Sequence, residues 1–236
     1  MNPQNKIAQR LRALHQPGNP LILTNTYDAP TATIIASLPT AHAVATASFA
    51  IASTLGVDDS SLTSSQNLSA LNSIASAVRA VNPSKPVTVD LQDGYGTLVE
   101  LTATVKEVVE LGAVGCNLED LNNATGQLRP LDDAVARVKT VVEAATEAGV
   151  PDFVVNARTD VLYQDGATID DASDEIRVLV RELGGMVNVK MNLRDGFLGV
   201  EEIRDLGVAR VSVGPELWKA AMMAFKKNAE MLLGPF

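Results

Sequence analysis

The sequence predicts an α/β fold, a parallel (β/α)8-type barrel of TIM type that falls one βα unit short. Two observations carry this. Short apolar runs alternate with helical patterns along the chain, and strands alternating with helices on that period form βαβ units around a parallel sheet. The apolar runs also end, again and again, in a charged or polar residue: Leu21 to Tyr27 before Asp28, Ala43 to Ala52 before Asp59, Val87 to Val89 before Asp90, Ala113 to Leu118 before Glu119, and Phe153 to Ala157 before Arg158. Successive end residues are 31, 31, 29 and 39 positions apart, each about one βα unit. A parallel sheet would gather them at the carboxyl ends of its strands, the edge where such folds keep their sites.

Taken in order, a helix over Lys6 to Leu14, with Ile7, Leu11 and Leu14 at helical spacing, leads through Pro17-Gly18-Asn19-Pro20 to a strand at Leu21 to Thr26 and a helix from Ala32 to Ser37. A strand at Ala43 to Ala47 follows, then a loop holding Gly56, Asp58, Asp59 and Ser60, and a helix from Ser65 to Val81. Next come a strand at Val87, a helix from Leu98 to Leu111, a strand at Val114, a loop from Asp120 to Pro130 and a helix from Leu131 to Ala148. After the strand at Phe153 the chain reads helix Ser173 to Leu183, strand Val187 to Met191, helix Val200 to Leu206, strand Arg210 to Val213 and a long helix Pro215 to Leu233. That makes seven strands, where a barrel of this kind closes with eight. The deficit falls between Arg158 and Val187, in 29 residues with one convincing helix and no apolar strand run, so the missing unit belongs between about residues 163 and 175. The Cα spacing from Gly166 to Asp174 would separate a lost unit from a break, since a trans step measures about 3.8 Å.

Composition sets the outer limits. With 236 residues, 46% of them apolar and 20% charged, the chain can bury one sizeable core, and a single barrel domain over residues 1–236 is expected. A net charge of −9 argues against nucleic acid and against anionic membrane surfaces as partners. No stretch reaches the roughly 18 uninterrupted apolar residues of a membrane span. The single cysteine, Cys116, forbids an intramolecular disulfide and fits a reducing, cytoplasmic setting. Met1 to Pro20 carries Lys6, Arg10 and Arg12 and no acid, as a mitochondrial transit peptide would, but a first helix lying across the barrel's bottom explains the same residues.

The chemistry centres on Thr88-Val89-Asp90-Leu91-Gln92-Asp93-Gly94-Tyr95-Gly96. It opens as a buried strand and then crowds acids against a Gly-x-Gly bend. An unpaired charge in a core neutralises or unfolds its surroundings, so these groups should face a cleft or a cation. The plainer reading is a strand running into a solvated Asp-Gly turn.

Five ordered motifs share a resemblance. They are Ala45-Thr46-Ala47-Ser48 with Leu55-Gly56-Val57-Asp58-Asp59; Thr88 through Gly96; Gly115-Cys116-Asn117-Leu118-Glu119-Asp120; Asn156-Ala157-Arg158-Thr159-Asp160; and Arg210-Val211-Ser212-Val213-Gly214-Pro215. Together they resemble the isocitrate lyase/phosphoenolpyruvate mutase superfamily. The resemblance implies an eight-stranded barrel that binds Mg²⁺ and a small 2-oxo acid or a related acid, with chemistry passing through an enolate. It makes Asp90 the direct metal ligand, with Asp59 and Glu119 holding metal-bound waters, as octahedral Mg²⁺ prefers. Gln92 stands beside the metal where many members carry a second acid. Ser48 and the amides around Phe49 correspond to the loop that grips the substrate carboxylate, and Arg158 to the arginine that pairs with it. Arg158 could equally form an internal salt bridge with Glu119 or Asp160. The expected catalytic set is Arg158, Ser48 and Asp59; the substrate-binding set adds Phe49 and Asn122; the metal set is Asp90, Asp59, Glu119 and Gln92.

Departures from the superfamily pattern narrow the chemistry. Isocitrate cleavage uses a loop with lysine, cysteine and histidine, whereas the corresponding loop here, Leu121 to Arg129, has none of them. Asn122 and Asn123 are a faint echo of the mutase loop. The expectation is a Mg²⁺-dependent C–C lyase or hydrolase acting on a small oxo- or hydroxy-dicarboxylate. The alternatives are phosphonate chemistry of the mutase type and a barrel that binds a carboxylate metabolite, or helps an assembly, without turnover. The last helix carries two apolar stripes, Leu217, Ala221, Ala224, Phe225 and Leu232 on one face and Trp218, Met222 and Met223 on another, more than one barrel wall needs. Core packing alone would also account for these stripes; the resemblance, whose members exchange a carboxyl-terminal helix between subunits, implies a homodimer or tetramer.

Overall fold

The computed structural model describes residues 2–161, 172–193 and 196–234. Its first helix, α1 (Pro3–Ala13), starts where the Asn2 side chain accepts from the Gln4 amide and Pro3 fills a position that needs no donor. The helix closes the bottom of the barrel: Gln4 donates to the carbonyls of Val109 and Ala113, Asn5 bonds Asp152, and Leu11 is fully buried. Val109 lies in the last turn of the helix Leu98–Glu110, and Ala113 and Asp152 lie in the turns that lead into strands, at the end opposite the expected site.

The expected first strand is broken in two. β1 (Leu21–Leu23) pairs with the last strand and β2 (Asn25–Thr26) with the next one, so the chain changes partner at Thr24. Then come α2 (Ala29–Ser37), β3 (Val44–Thr46), α3 (Ser48–Leu55), α4 (Ser64–Val81), β4 (Val87–Asp90), α5 (Leu98–Glu110) and β5 (Gly115–Glu119). A two-stranded hairpin, β6 (Leu121–Asn122) with β7 (Gln127–Leu128), precedes α6 (Leu131–Glu147) and β8 (Val154–Arg158). The chain ends with α7 (Ala172–Glu182), β9 (Asn188–Lys190), α8 (Val200–Asp205), β10 (Arg210–Ser212) and α9 (Glu216–Leu233). Two further elements differ from the sequence reading. Residues 48–55, Ala, Ser and Thr with Phe49, Ile51 and Leu55, form a helix where a loop was expected, and the 120–130 loop folds back as a hairpin around Gly126.

The described strands form one parallel wall in the order β9, β10, β1/β2, β3, β4, β5, β8. No hydrogen bond joins β8 to β9 among the described residues, on the side where the sequence count falls a unit short. Burial agrees. Every residue of β4 and β5 is buried, while β8 and β9, which flank that side, are half-buried at most positions and exposed at Ala157 and Lys190. Most of the segment expected to lack a unit, and the Cα spacing test across it, lie outside the described residues.

The helices cover the wall's outer face by ordinary amphipathic logic. Leu68, Leu71, Ile74, Ala75 and Val78 repeat down α4, and Leu101, Val105, Val108 and Val109 down α5, all buried. Thr63 and Thr97 open these helices with reciprocal capping boxes. A second, smaller apolar cluster, with Ile203, Val208, Val211 and Val213, packs the last strands. No helix among the described residues is long and apolar enough to cross a membrane. α9 leaves Met223, Phe225, Met231, Leu232 and Leu233 well exposed.

Candidate active site

At the carboxyl ends of β4, β5 and β8 the wall presents Asp90, Glu119 and Arg158. Register explains the convergence: Asp90 lies opposite Asn117, two residues before Glu119, and Glu119 lies opposite Arg158. Side chains two apart on a strand share a face, so all three point inward. Asp90 is 8% exposed, and its Oδ2 accepts from the backbone N–H of Ser48 at 3.2 Å and from Ser48 Oγ at 3.1 Å. Ser48 is the first residue of α3, so the carboxylate rests against a helix N-terminus, whose unpaired amides and dipole favour an anion.

After Asp90 the backbone turns through four residues with positive φ: Gln92 at 51°, Gly94 at 86°, Tyr95 at 56° and Gly96 at 74°. Two of these are not glycine, so the surroundings must hold the turn. Arg137, buried in α6, donates Nε and Nη2 to the Asp93 carbonyl at 2.9 and 2.6 Å and Nη1 to the Gly96 carbonyl at 2.9 Å. Asn67 bonds both the Asp90 carbonyl and Tyr95 Oη, at 2.8 and 2.9 Å. Arg129 reaches back from the hairpin to Asp93 Oδ2 at 2.8 Å. The turn in its turn aims Gln92, whose Nε2 donates to the carbonyl and Oδ1 of Asp59 at 2.7 and 2.8 Å.

Electrostatics mark the place as strained. Burial, then the Asp90 charge, raises the Glu119 carboxyl to about 9, against the pull of Arg158. Burial and Asp90 likewise raise Asp59, while hydrogen bonds from Ser48 and Gln92 hold it down. Burial alone would lower Arg158, but Glu119, Asp90 and Asp160 outweigh it and keep the guanidinium charged. Arg158 gives Nη1 to Glu119, and Nε and Nη2 to Asp160 Oδ1 at 2.8 and 2.6 Å. Perturbed groups facing one space are what a functional site requires.

The comparisons with known proteins agree with this architecture. The family model described as phosphoenolpyruvate phosphomutase matches the chain in two stretches, residues 11–174 and 167–233. The chain belongs to this family. The change from one stretch to the other falls where the strand count leaves a unit wanting. A solved structure from Burkholderia cenocepacia J2315 that carries a provisional phosphonomutase assignment is 31% identical, superposes with a TM-score of 0.83, and covers 98% of this chain and 100% of its own. An uncharacterized Mycobacterium tuberculosis protein is 28% identical over 235 residues, 89% of this chain and 84% of that one. A 2,3-dimethylmalate lyase, described as a member of the PEP mutase/isocitrate lyase superfamily, shares the fold at TM-score 0.80, with 20% identity over 96% of this chain and 87% of its own. The structural neighbours are TIM-type barrels, and the parallel wall here is the same architecture.

Within that family frame, the structure brings Ser48, Asp59, Asp90, Gln92, Glu119 and Arg158 into one connected group. Several are turned differently from what the resemblance implies. Ser48 faces Asp90 rather than open space, and Gln92 points its amide at Asp59, leaving Oε1 sealed without a partner. Arg158 forms the internal salt bridges that were its alternative reading, with both Glu119 and Asp160. Asn122 Oδ1 accepts from Ala124 N within its own turn, at 3.0 Å. Phe49 follows Ser48 in the first turn of α3, and its ring packs edge-on against Trp218, with centroids 5.8 Å apart. Asp28, first in the strand-end series, caps α2 through the Thr31 amide.

Among the described residues no three His, Cys, Asp or Glu side chains are grouped closely enough to hold a metal ion. The donor set still fits a hard cation bound by one carboxylate and otherwise through water: Asp90 would hold it, with the raised carboxyls of Glu119 and Asp59 and the orphaned Gln92 Oε1 nearby. Arg137, Arg129, Asn67 and Asp160 support the site and were not singled out as such from sequence. A basic residue at a helix position otherwise facing the core, as Arg137 is, was the available signal.

Proposed function

We propose that the chain is a Mg²⁺-dependent lyase or hydrolase that breaks a C–C bond in a small 2-oxo or hydroxy dicarboxylic acid, through an enolate. The observation that carries it is the meeting of Asp59, Asp90, Glu119 and Arg158 at one barrel mouth, with Glu119 driven to about 9 by burial and by Asp90. Relatives lend support over part of their length: a 2-methylisocitrate lyase of Escherichia coli is 30% identical over 42% of this chain, and a Rhodopseudomonas palustris oxaloacetate decarboxylase 34% over 43%. A bound Mg²⁺ would act as a Lewis acid toward charge developing on the enolate oxygen.

The chain's own groups bind and orient. Arg158 takes a substrate carboxylate in a bidentate grip, exchanging one of its present carboxylate partners for it. Ser48, at the start of α3, spends its amide and hydroxyl on Asp90 Oδ2 and so holds that carboxylate in place; to grip a ligand carboxylate it would have to exchange Asp90 for it. Asp59, kept above the usual carboxylate range, can hold or release a proton near the reacting atoms. Association into a dimer or tetramer belongs to this reading, supported by the exposed Met223, Phe225, Leu232 and Leu233 of α9.

Replacing Asp90 with Ala should abolish Mg²⁺-dependent turnover of oxaloacetate or 2-alkylmalates, read as released product by a coupled assay. Unchanged turnover refutes the proposal. A second reading, a barrel that binds a carboxylate without turning it over, is favoured by Gln92, whose amide occupies Asp59. Calorimetry that finds oxalate binding independent of Mg²⁺, with no turnover of any such acid, would select it. Mutase chemistry stands as a further alternative; of Asn122, Oδ1 accepts from Ala124 N within its own turn.

A further inference from the structure

Beneath the carboxylates lies a polar layer to which the chemistry above gives no part. Asn117 on β5 is the register partner of both Asp90 and Asn156 and comes two residues before Glu119, so its side chain enters the barrel just below the mouth. From the far side of the barrel comes Arg210 of β10, 2% exposed, whose Nη2 donates to Asn117 Oδ1 at 2.8 Å. Asn156 Nδ2 donates to the same oxygen at 3.0 Å.

The contact with Arg210 fixes something that atomic positions alone leave open. The two ends of an asparagine amide look alike, and which is oxygen is inferred from partners. A guanidinium can only donate, so the atom facing Arg210 must be Oδ1. With two donors converging on Oδ1, Nδ2 is turned away from both. It donates to no described group, yet it is not among the sealed unpartnered atoms, and Asn117 as a whole is 9% exposed.

We propose that Asn117 Nδ2 is a ligand donor on the floor of the mouth, that it takes an acceptor oxygen of a small carboxylate, and that Arg210 is the positioning residue that keeps it facing that way. This rests on the functional reading above. Arg210 is well suited to that role, because its Nε and Nη1 have no partner among the described residues, and although burial lowers it to about 10 it stays protonated at neutral pH. A sealed cation with donors to spare holds an acceptor strongly, and the uncharged Asn117 can answer it without neutralising it.

Isothermal calorimetry of the intact chain with oxalate, with and without Mg²⁺, tests this. Asn117→Asp keeps the shape but exchanges the donor for an acceptor, and should weaken oxalate by about 10–100-fold, because a site built to donate is left with repulsion. Arg210→Met frees the amide to flip and should weaken oxalate about 3–10-fold, while Arg210→Lys, still a donor, should recover most of the loss. If Asn117→Asp does not melt cooperatively, Asn117→Ala removes the donor without adding charge and is read the same way. Binding within about twofold of wild type for the Asn117 variants overturns the proposal. Equal loss in Arg210→Met and Arg210→Lys overturns the positioning role. Oxalate binding by wild type with no effect at Asn117 leaves the functional reading standing, whereas no binding by wild type removes both.

Discussion

Arg137 offers the sharpest test of how the site is held. It lies on α6 with 2% exposure, and its three hydrogen bonds end on two backbone carbonyls, those of Asp93 and Gly96. Both belong to the turn of positive φ that follows Asp90. Met in its place keeps much of the apolar stem and removes every donor. Each buried carbonyl left unpaired costs roughly 1–3 kcal/mol, so two give about 2–6. Part returns, because burial already disfavours this guanidinium and lowers its pKa. The expected net loss is therefore about 2–4 kcal/mol, a large share of the roughly 5–15 kcal/mol that holds a domain together. Urea unfolding followed by circular dichroism reads it as a lower midpoint at unchanged slope. Because the turn also aims Gln92 at Asp59, the folded fraction of Arg137→Met should bind oxalate more weakly as well. A stability loss under about 0.5 kcal/mol at unchanged slope would show that the turn holds itself, and the reasoning would fall.

Two further outcomes follow from the same geometry. A Cβ on Gly94 would lie 2.8 Å from Leu101 Cδ1, 2.9 Å from Leu118 Cδ1 and 3.0 Å from Arg137 Nη2, at a φ of 86°. Gly94→Ala should thus cost about 2–4 kcal/mol in thermal or urea melts, but Gly126→Ala, at φ 68° with nothing within 4 Å, only about 1 kcal/mol; equal costs would discredit the crowding. For Glu119 the sign follows from its raised carboxyl. Between its ordinary 4.5 and about 9 the folded chain keeps a proton that the unfolded chain has released, so stability falls as pH rises through that window and levels off above it. Melting temperatures across the window should show this slope in wild type without added cation and lose most of it in Glu119→Gln; an unchanged slope in the variant would assign it elsewhere.

The barrel was legible because its signals are local and repeated. Apolar runs of strand length, helical spacing and polar residues at run ends all recur on one period, and the parallel wall follows from them. The consecutive parallel pairing of the strands was readable from the same count, while most of the segment where the count falls short lies outside the described residues. What could not be read was how the polar groups answer one another. That Asp90 faces Ser48 and that Gln92 covers Asp59 depend on rotamers and on distances across the barrel, which no periodicity encodes; the pairing of Arg158 with Glu119 or Asp160 was open as an alternative reading, and both bridges form. The helix at 48–55 was missed for a related reason. Ser48 to Ala52 continue the apolar run of the preceding strand with no break in sequence, and what marks the helix in the structure is the contact its first turn makes with Asp90.

The salt bridges of Arg158 carry a consequence for ligand entry. Nε and Nη2 hold Asp160, which is 1% exposed, and Asp160 N donates to Asp120 Oδ1 at 2.8 Å, so that end of the pair is anchored in the wall. Nη1 holds Glu119, at the mouth, whose carboxyl is raised to about 9 by burial and by Asp90. A ligand carboxylate that seeks the guanidinium meets less resistance at Glu119 than at Asp160. Displacing Glu119 leaves it beside Asp90 without its cationic partner, a state that favours a proton or a metal cation on that side of the mouth. Ligand on one face of Arg158 and cation or proton on the other should then each strengthen the other, and by linkage the gain is the same whichever arrives first. A barrel whose carboxylates were arranged for stability alone would gain nothing from leaving Glu119 so easily displaced.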